Sequence, residues 1–144
     1  MKLPSLLSSL FCLIGCVGAQ DVRPAPGAAP YVVTARFREP VWVGRYYAAV
    51  AGIQEDSRCP ANVACIQAGT VRLSVMATFQ DGPQREVELE LGTPRELGGQ
   101  WLTLTEVCPL PGPVRIPELA EFRFHIVVAN TAKAAAAHRA GIVC

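Results

Sequence analysis

Histidine and net charge are both scarce in this chain of 144 residues. It contains only His125 and His138, so a Ser-His-Asp or Cys-His catalytic machine would have to use one of them. Ser57 and Ser74 both lack the G-x-S-x-G surroundings of a nucleophile elbow. The 13 basic and 12 acidic residues leave a formal charge of +1, which argues against a partner held by charge, such as a nucleic acid. The sequence therefore predicts neither an enzyme nor a nucleic-acid-binding protein.

Metal-binding and redox motifs are also missing from the sequence. Cys59 and Cys65 do not form a C-x-x-C pair, and no histidine lies near them in the chain. The alternate glutamates of residues 86–90 follow one another at strand spacing, roughly 7 Å apart, which is too far to share one Ca²⁺ ion. We therefore expect no metal site and no cofactor, and a solvated acidic face that pairs with Arg72 or Arg85.

The apolar run at the start of the chain, residues 3–15, is too short to cross a bilayer of roughly 30 Å as a helix. It follows the positive Lys2 and has the form of a secretory h-region. Its end, Leu13-Ile14-Gly15-Cys16, resembles the bacterial lipobox, in which the cysteine becomes the lipid-bearing first residue. We predict a lipoprotein signal peptide over residues 1–15 and a membrane anchor through lipidation of Cys16. Cleavage after Ala19, with plain secretion, is the alternative.

Residues 16–30 are rich in proline, glycine and alanine, a composition that cannot hold a regular hydrogen-bonded ladder. We interpret them as a flexible tether between the anchor and the folded domain.

The body of the chain alternates apolar and polar residues with a period of two, which is typical of β-strands. The clearest case is residues 70–79, where one face is formed by Val71, Leu73, Val75, Ala77 and Phe79. Residues 84–91 alternate in the same way after the turn signal Asp81-Gly82-Pro83. These two runs predict a β-hairpin.

Further candidate strands complete the domain; they cover residues 31–38, 41–43, 45–54, 101–107 and 121–129. The last of these places Phe124 inward and turns Arg123 and His125 outward, and residues 92–100 are expected to form a loop. We predict a single all-β domain over residues 31–129, an antiparallel β-sandwich, with a small open barrel as the alternative.

An alanine-rich extension, residues 130–144, follows the last candidate strand. Residues 131–139 favour a short helix through their alanine content, and Gly141 is a candidate stop.

The six cysteines stand at positions 12, 16, 59, 65, 108 and 144. The first leaves with the signal peptide and the second is the lipidation candidate, so four remain, an even number that suits an oxidising compartment. Cys59 and Cys65 are close in sequence around Pro60, which favours a tight loop, and this leaves Cys108 to pair with Cys144. We predict that both pairs form disulfides. Pairing of Cys144 between two chains is the alternative for the second.

Residues 55–69 join two of the predicted strands and concentrate charged and turn-forming residues. We interpret Asp56 as an acceptor of backbone amides within the loop, and Arg58 as a donor to a carboxylate or to carbonyl groups nearby. Together with Pro60 and Gly69, these residues predict a rigid, cross-linked loop with a structural role.

The run Asp56-Ser57-Arg58-Cys59-Pro60, followed by Cys65 and then Ala68-Gly69 ahead of an alternating strand, resembles a motif of small exported bacterial proteins and lipoproteins. The resemblance extends loosely over residues 37–128. A tryptophan often stands near position 67 in that family, whereas this chain has Gln67. The family has no established activity, so the resemblance implies a compartment and a loop structure, not a reaction.

Two functions are consistent with these features. The first is a non-enzymatic module of the cell envelope that binds a protein or a glycan, or serves structurally. The aromatic residues could line its surface or its core; they are Trp42, Tyr46, Tyr47 and Trp101. The alternative is a small secreted protease inhibitor that presents the Cys59–Cys65 loop as a rigid wedge, since preorganisation lowers the cost of binding.

We expect the mature protein to begin at Cys16 and to carry a diacyl or triacyl group, because the lipobox-like residues follow a short apolar run. Intact-mass measurement of protein extracted from membranes tests this, and Cys16→Ser, which removes the acceptor thiol, is the control. A mature chain that begins at Gln20 in the soluble fraction would contradict the prediction.

Overall fold

Two four-stranded antiparallel sheets form the fold in a computed structural model, which describes residues 29–60, 63–67, 69–112, 117–138 and Cys144. The first sheet has the strand order β1 (Tyr31–Arg36), β8 (Arg123–Ala129), β7 (Gln100–Cys108) and β6 (Arg95–Leu97). The second has the order β2 (Val41–Trp42), β3 (Tyr46–Asp56), β4 (Val71–Phe79) and β5 (Arg85–Glu90). The predicted β-sandwich is confirmed, and the sheets do not close into a barrel. The predicted signal peptide, Cys16 and all of the tether before Ala29 lie outside the described residues.

The hairpin predicted from the alternating pattern is confirmed as β4 and β5. The two strands pair antiparallel, with Leu73 opposite Leu89 and Val75 opposite Val87. Leu73, Val75 and Leu89 are buried, because each strand turns its one apolar face towards the other sheet. The core between the sheets contains, among others, Tyr46, Val50, Leu102, Leu104, Phe124 and Ile126.

The prediction of a loop over residues 92–100 is wrong at its centre, where the structure has strand β6. Its residues pair with the start of β7, with Leu97 opposite Gln100. Gly98 and Gly99 make this turn possible, since both have positive φ angles, 61° and 80°. A side-chain oxygen of Glu96 also accepts a hydrogen bond from the Gly99 amide at 2.7 Å. A strand of three residues is too short to show the alternation by which the longer strands are recognised.

The alanine-rich extension forms a short helix, α1 (Ala132–Ala137), within the predicted residues 131–139. The Thr131 side chain caps it by accepting a hydrogen bond from the Ala134 amide at 3.2 Å. Gly141, the candidate stop, lies outside the described residues. The helix packs on β7 and β8, which are the two central strands of the first sheet, and buries Ala135 there.

His125 does not lie on a solvated face as the sequence predicts. Its side chain is on the outer face of the first sheet, where α1 packs on the same two strands, and it is buried together with Thr103 and Val127. Its Nδ1 atom lies 3.0 Å from Thr34 Oγ1. Burial lowers the pKa of His125, and the negative charge of Glu106 opposes this shift in part. Alternation along a strand shows which residues share a face but not whether a later segment covers that face.

We expect the melting temperature to fall as the pH is lowered through about 6.5, the ordinary pKa of histidine. The folded protein holds His125 neutral, since the pKa of this residue is lowered, whereas the unfolded chain takes up a proton near pH 6.5. The contribution of His125 to stability is therefore complete above that pH and is lost below it. Scanning calorimetry across this pH range on His125→Gln should show a shallower decline than the native chain. The control is His138→Gln, and an equally steep decline in His125→Gln would contradict the prediction.

Candidate functional site

The loop that joins β3 to β4 begins with an ion pair between Asp56 and Arg58. Arg58 Nε donates to Asp56 Oδ1 at 2.8 Å, and Arg58 Nη2 donates to Asp56 Oδ2 at 2.7 Å. The Arg58 amide also approaches Asp56 Oδ1 at 3.3 Å. The side chains are only 9% and 22% exposed for Arg58 and Asp56 respectively. This is a bidentate, largely desolvated pair, which is the strong form of such an interaction.

The same guanidinium connects this loop to a second loop at the end of β7. Arg58 Nη1 donates to the Val107 carbonyl, and Arg58 Nη2 donates to the Pro109 carbonyl at 3.2 Å. These two carbonyls flank Cys108. The structure therefore gives Asp56 and Arg58 the contacts that the sequence analysis assigns to them, a backbone amide for the carboxylate and carbonyls for the guanidinium.

Disulfides brace both loops that Arg58 joins. Cys59 is bonded to Cys65 and Cys108 to Cys144, with Cα–Cα distances of 6.0 and 5.3 Å, and these are the predicted pairs. A carboxylate oxygen of Glu106 lies 3.5 Å from Cys144 Sγ, so three potential ligand atoms are clustered there. Metal ions bind thiolates, and both sulfurs of this cluster are held in the disulfide bond.

The base of the β3–β4 loop is closed by a very close approach of two backbone segments. A Cβ atom on Gly69 would lie only 1.6 Å from the Ser57 carbonyl oxygen. The Ser57 amide donates to the Thr70 carbonyl at 2.9 Å, and the Thr70 amide donates to Ser57 Oγ at 3.0 Å. The carbonyl of Pro60 accepts from the Val63 amide at 3.3 Å. Gly69 is therefore required by space, because only a residue without a side chain fits against Ser57.

Beside the ion pair lies an open cavity of about 360 Å³ between the two loops. It is lined by Ile53, Asp56, Arg58, Pro111, Gly112, Pro117, Leu119 and Phe122. Its walls are mainly apolar, and its two charged groups already bind each other. A volume of this size falls in the range of cavities that hold small ligands or a buried side chain of a partner.

Exposed apolar side chains are concentrated at the same end of the sandwich. Ile66 is fully exposed, and Val63, Leu110 and Leu119 are each about half exposed. The first two lie in the loop braced by Cys59–Cys65, and the others lie in the segment between β7 and β8. Tyr47, which is 37% exposed, is the one other exposed large apolar side chain among the described residues. Clustered apolar exposure of this kind marks surfaces that bind other molecules.

The remaining aromatic candidates are divided between core and surface. Tyr46 is fully buried, whereas Trp42 and Tyr47 lie edge to face on the outer side of the second sheet, with ring centroids 4.9 Å apart. Trp101 lies half-buried on the other sheet. The four aromatic residues therefore do not form one surface.

Among the described residues, the acidic stripe on β5 meets Arg72 through longer-range electrostatic attraction from Glu88 and Glu90 and not through a close ion pair. Arg72 lies opposite both Glu90 on β5 and Glu55 on β3, and its Nε donates to Glu55 at 2.8 Å. Glu86 accepts a hydrogen bond from Ser74 instead. The Arg85 guanidinium lies 5.7 Å from the centroid of the Phe79 ring.

Sequence reasoning missed most of the cavity wall. In the sequence, Ile53, Leu119 and Phe122 have the pattern of ordinary strand or connecting residues. Nothing near them in the chain indicates that they share a site. The proline-rich stretch that contains Pro111 excluded a central strand but pointed to no cavity. Arg58 joins the start of that stretch to the β3–β4 loop through its hydrogen bond to the Pro109 carbonyl, a contact between residues far apart in the sequence.

No family model matches this chain, and no curated protein or solved structure is significantly similar to it. In the part of the chain that the structure describes, there is no helix of the length and apolarity needed to cross a bilayer.

We expect Gly69→Ala to destabilise the protein by at least about 2 kcal/mol, because its methyl group would overlap the Ser57 backbone. The matched control is Gly52→Ala in β3, where an added Cβ would meet nothing within 4 Å. Alanine is favoured over glycine within a strand by about 0.5 kcal/mol, so the control should be neutral or slightly stabilising. Urea unfolding of both variants measures the difference. Equal stabilities would show that the close approach at Gly69 does not hold the loop.

Proposed function

We propose that this protein is an exported, lipid-anchored, non-enzymatic binding module of the bacterial cell envelope, with the cavity beside Asp56 and Arg58 as its binding site. The observation that supports it most directly is the open apolar cavity between two disulfide-braced loops. The bridges brace the loops on either side of this cavity, and preorganisation of that kind lowers the cost of binding. The two disulfides also suit an oxidising, exported compartment.

The direction of the strands supports a role for the cavity away from the membrane. Tyr31, where the tether ends, pairs with Val128 at the end of β8, whereas Cys108 pairs with Arg123 at its start. Seven residues of strand span about 20 Å, so the cavity and the tether are at opposite ends of the sandwich. A module anchored through Cys16 would present the cavity outward.

The charged groups in the cavity support binding rather than catalysis. Both carboxylate oxygens of Asp56 accept hydrogen bonds from Arg58, so this carboxylate is not free to act as a general base. His125 is on the outer face of the first sheet, where α1 packs, and does not line the cavity. The apolar walls favour an uncharged, apolar ligand, and we propose an apolar segment of an envelope protein in preference to a glycan.

A second candidate, protease inhibition, is favoured by one observation. Ile66 follows Cys65 directly, next to the ring that the Cys59–Cys65 bridge closes, and it is fully exposed. A rigid loop that presents a branched apolar side chain has the form needed to enter a protease subsite.

We expect Leu119→Glu to abolish the capture of a specific envelope protein, because it places a charge on the apolar wall. Leu119 is about half exposed, so the substitution should leave the fold intact. Purified native and variant proteins are immobilised and incubated with envelope extract, and bound proteins are quantified by mass spectrometry. The control is Tyr47→Glu, an exposed aromatic residue on the opposite side of the second sheet from the core.

The outcomes separate the two functions. A partner retained by Tyr47→Glu and lost by Leu119→Glu supports the proposed binding site. A protease that is captured through Ile66, and is lost with Ile66→Glu but not with Leu119→Glu, supports the inhibitor. Equal capture by all four proteins would contradict both.

A further inference from the structure

Strand β7 places two side chains that can bind metal on the outer face of the first sheet. Glu106 and Cys108 are two residues apart and share this face, whereas Val107 between them is buried in the core. Cys144 is bonded to Cys108 and follows α1, which packs on β7 and β8. One carboxylate oxygen and the two sulfurs all lie within 4.8 Å of one another. Cys144 is 36 positions from Cys108, so no spaced motif in the sequence shows this cluster.

The contact between Glu106 and Cys144 has the spacing of two corners of a tetrahedral zinc site. Zn²⁺ binds sulfur at about 2.3 Å and carboxylate oxygen at about 2.0–2.2 Å, which places a sulfur and an oxygen on neighbouring corners about 3.5–3.7 Å apart. Glu106 Oε1 lies 3.5 Å from Cys144 Sγ. The same geometry puts two sulfurs about 3.8 Å apart, so the sulfurs must separate from bonding distance. Cys144 is exposed and lies outside the helices and strands, so its side chain can turn while Cys108 stays at the end of β7.

The atoms that surround Cys144 Sγ are hydrogen-bond acceptors. They are Glu106 Oε1 at 3.5 Å and the Val107 carbonyl oxygen at 3.7 Å. A disulfide sulfur has no proton to donate to them, whereas a thiol has one. None of the ion pairs formed among the described residues includes Glu106. Its carboxylate is therefore available to a metal ion.

We propose that Glu106, Cys108 and Cys144 bind one Zn²⁺ ion when the Cys108–Cys144 disulfide is reduced. A dithiol reductant gives two electrons and two protons to this disulfide and becomes a disulfide itself, which leaves two thiols on the protein. Zn²⁺ then binds both sulfurs as thiolates together with the Glu106 carboxylate, and the two thiol protons pass to solvent. Two thiolates favour Zn²⁺ over Mg²⁺ and Ca²⁺, which take oxygen ligands. Three protein ligands leave the fourth position of the tetrahedron to water on the exposed side.

The other disulfide of the chain lacks a third ligand of this kind. Cys59 Sγ lies 3.1 Å from the Val63 carbonyl oxygen. Within the part of the chain that the structure describes, no histidine or carboxylate completes a metal-binding group with Cys59 and Cys65. This pair is therefore a matched control within the same protein. None of the three proposed ligands lines the cavity, so the proposal does not depend on the proposed function.

Co²⁺ binding to the reduced protein tests the proposal, because Co²⁺ occupies zinc sites and its absorption spectrum reports tetrahedral thiolate coordination. Two full-length double variants with equal numbers of cysteines are compared, Cys59→Ser/Cys65→Ser and Cys108→Ser/Cys144→Ser. Both keep the two N-terminal cysteines, so a signal from those would appear in both. After reduction with a phosphine and its removal without oxygen, the first variant should bind one Co²⁺ ion that Zn²⁺ displaces. The second should give no such spectrum, and neither should before reduction.

A further substitution tests the carboxylate as the third ligand. Glu106→Gln in the Cys59→Ser/Cys65→Ser background should weaken Zn²⁺ binding at least about tenfold, since the loss of even an outer-shell partner has an effect of that size. The matched control is Glu88→Gln on β5, which should leave the affinity unchanged.

Three results would overturn the proposal. The first is a tetrahedral spectrum that is equal in the two double variants, or its absence from reduced Cys59→Ser/Cys65→Ser. The second is an unchanged affinity in Glu106→Gln, which would show that sulfur alone holds the metal. The third is a loss of the far-ultraviolet β-sheet signal on reduction that Zn²⁺ does not restore, because the site requires a folded β7.

Discussion

The guanidinium of Arg58 is the interaction on which the loop end of this protein depends. It forms two hydrogen bonds with Asp56 and donates to the carbonyls of Val107 and Pro109, at and just beyond the end of β7 in the other sheet. A buried charge is costly unless it is paired, and here the carboxylate and the two carbonyls satisfy it together. Loss of the Arg58 side chain would remove both side-chain hydrogen bonds to Asp56 and both hydrogen bonds that tie the β3–β4 loop to Val107 and Pro109. Asp56 and Arg58 also line the cavity, so this ion pair is part of its wall.

The two ends of the sandwich use polar groups in different ways. At the loop end, the ion pair is saturated by the protein itself, so the cavity offers apolar surface to a ligand. At the tether end, the inward faces of the two sheets carry the polar side chains of Tyr31, Tyr46 and Gln100. Between these ends the core is apolar, with residues such as Leu73, Leu104 and Phe124 from both sheets. The two ends of the domain therefore differ in the residues that end the inward faces. The cavity lies at the end opposite Tyr31, the first residue of β1.

Local sequence patterns were sufficient for the fold class and for the longer strands. Alternation with a period of two predicts β4 and β5 because each strand buries one face and exposes the other. The charged and turn-forming residues around Asp56 and Arg58 indicated a structured loop, since carboxylates and guanidinium groups bind backbone amides and carbonyls there. The cysteine pairs followed from their spacing and from the even number left after the N-terminal two. In each case the prediction depends on a few neighbouring residues or on the number of cysteines.

The sequence by itself determined that this chain folds as an antiparallel all-β domain with a structured loop after the third strand, and the tertiary structure decided for the two-sheet sandwich over the open barrel. Only the tertiary structure decided that α1 packs on the strand that carries His125, that Arg72 pairs with Glu55, and that Leu119 and Phe122 share a cavity with Arg58. These outcomes depend on the order of strands within each sheet and on which segment packs over which face. Residues far apart in the chain set them, and a periodic pattern records only which side of its own strand a residue occupies.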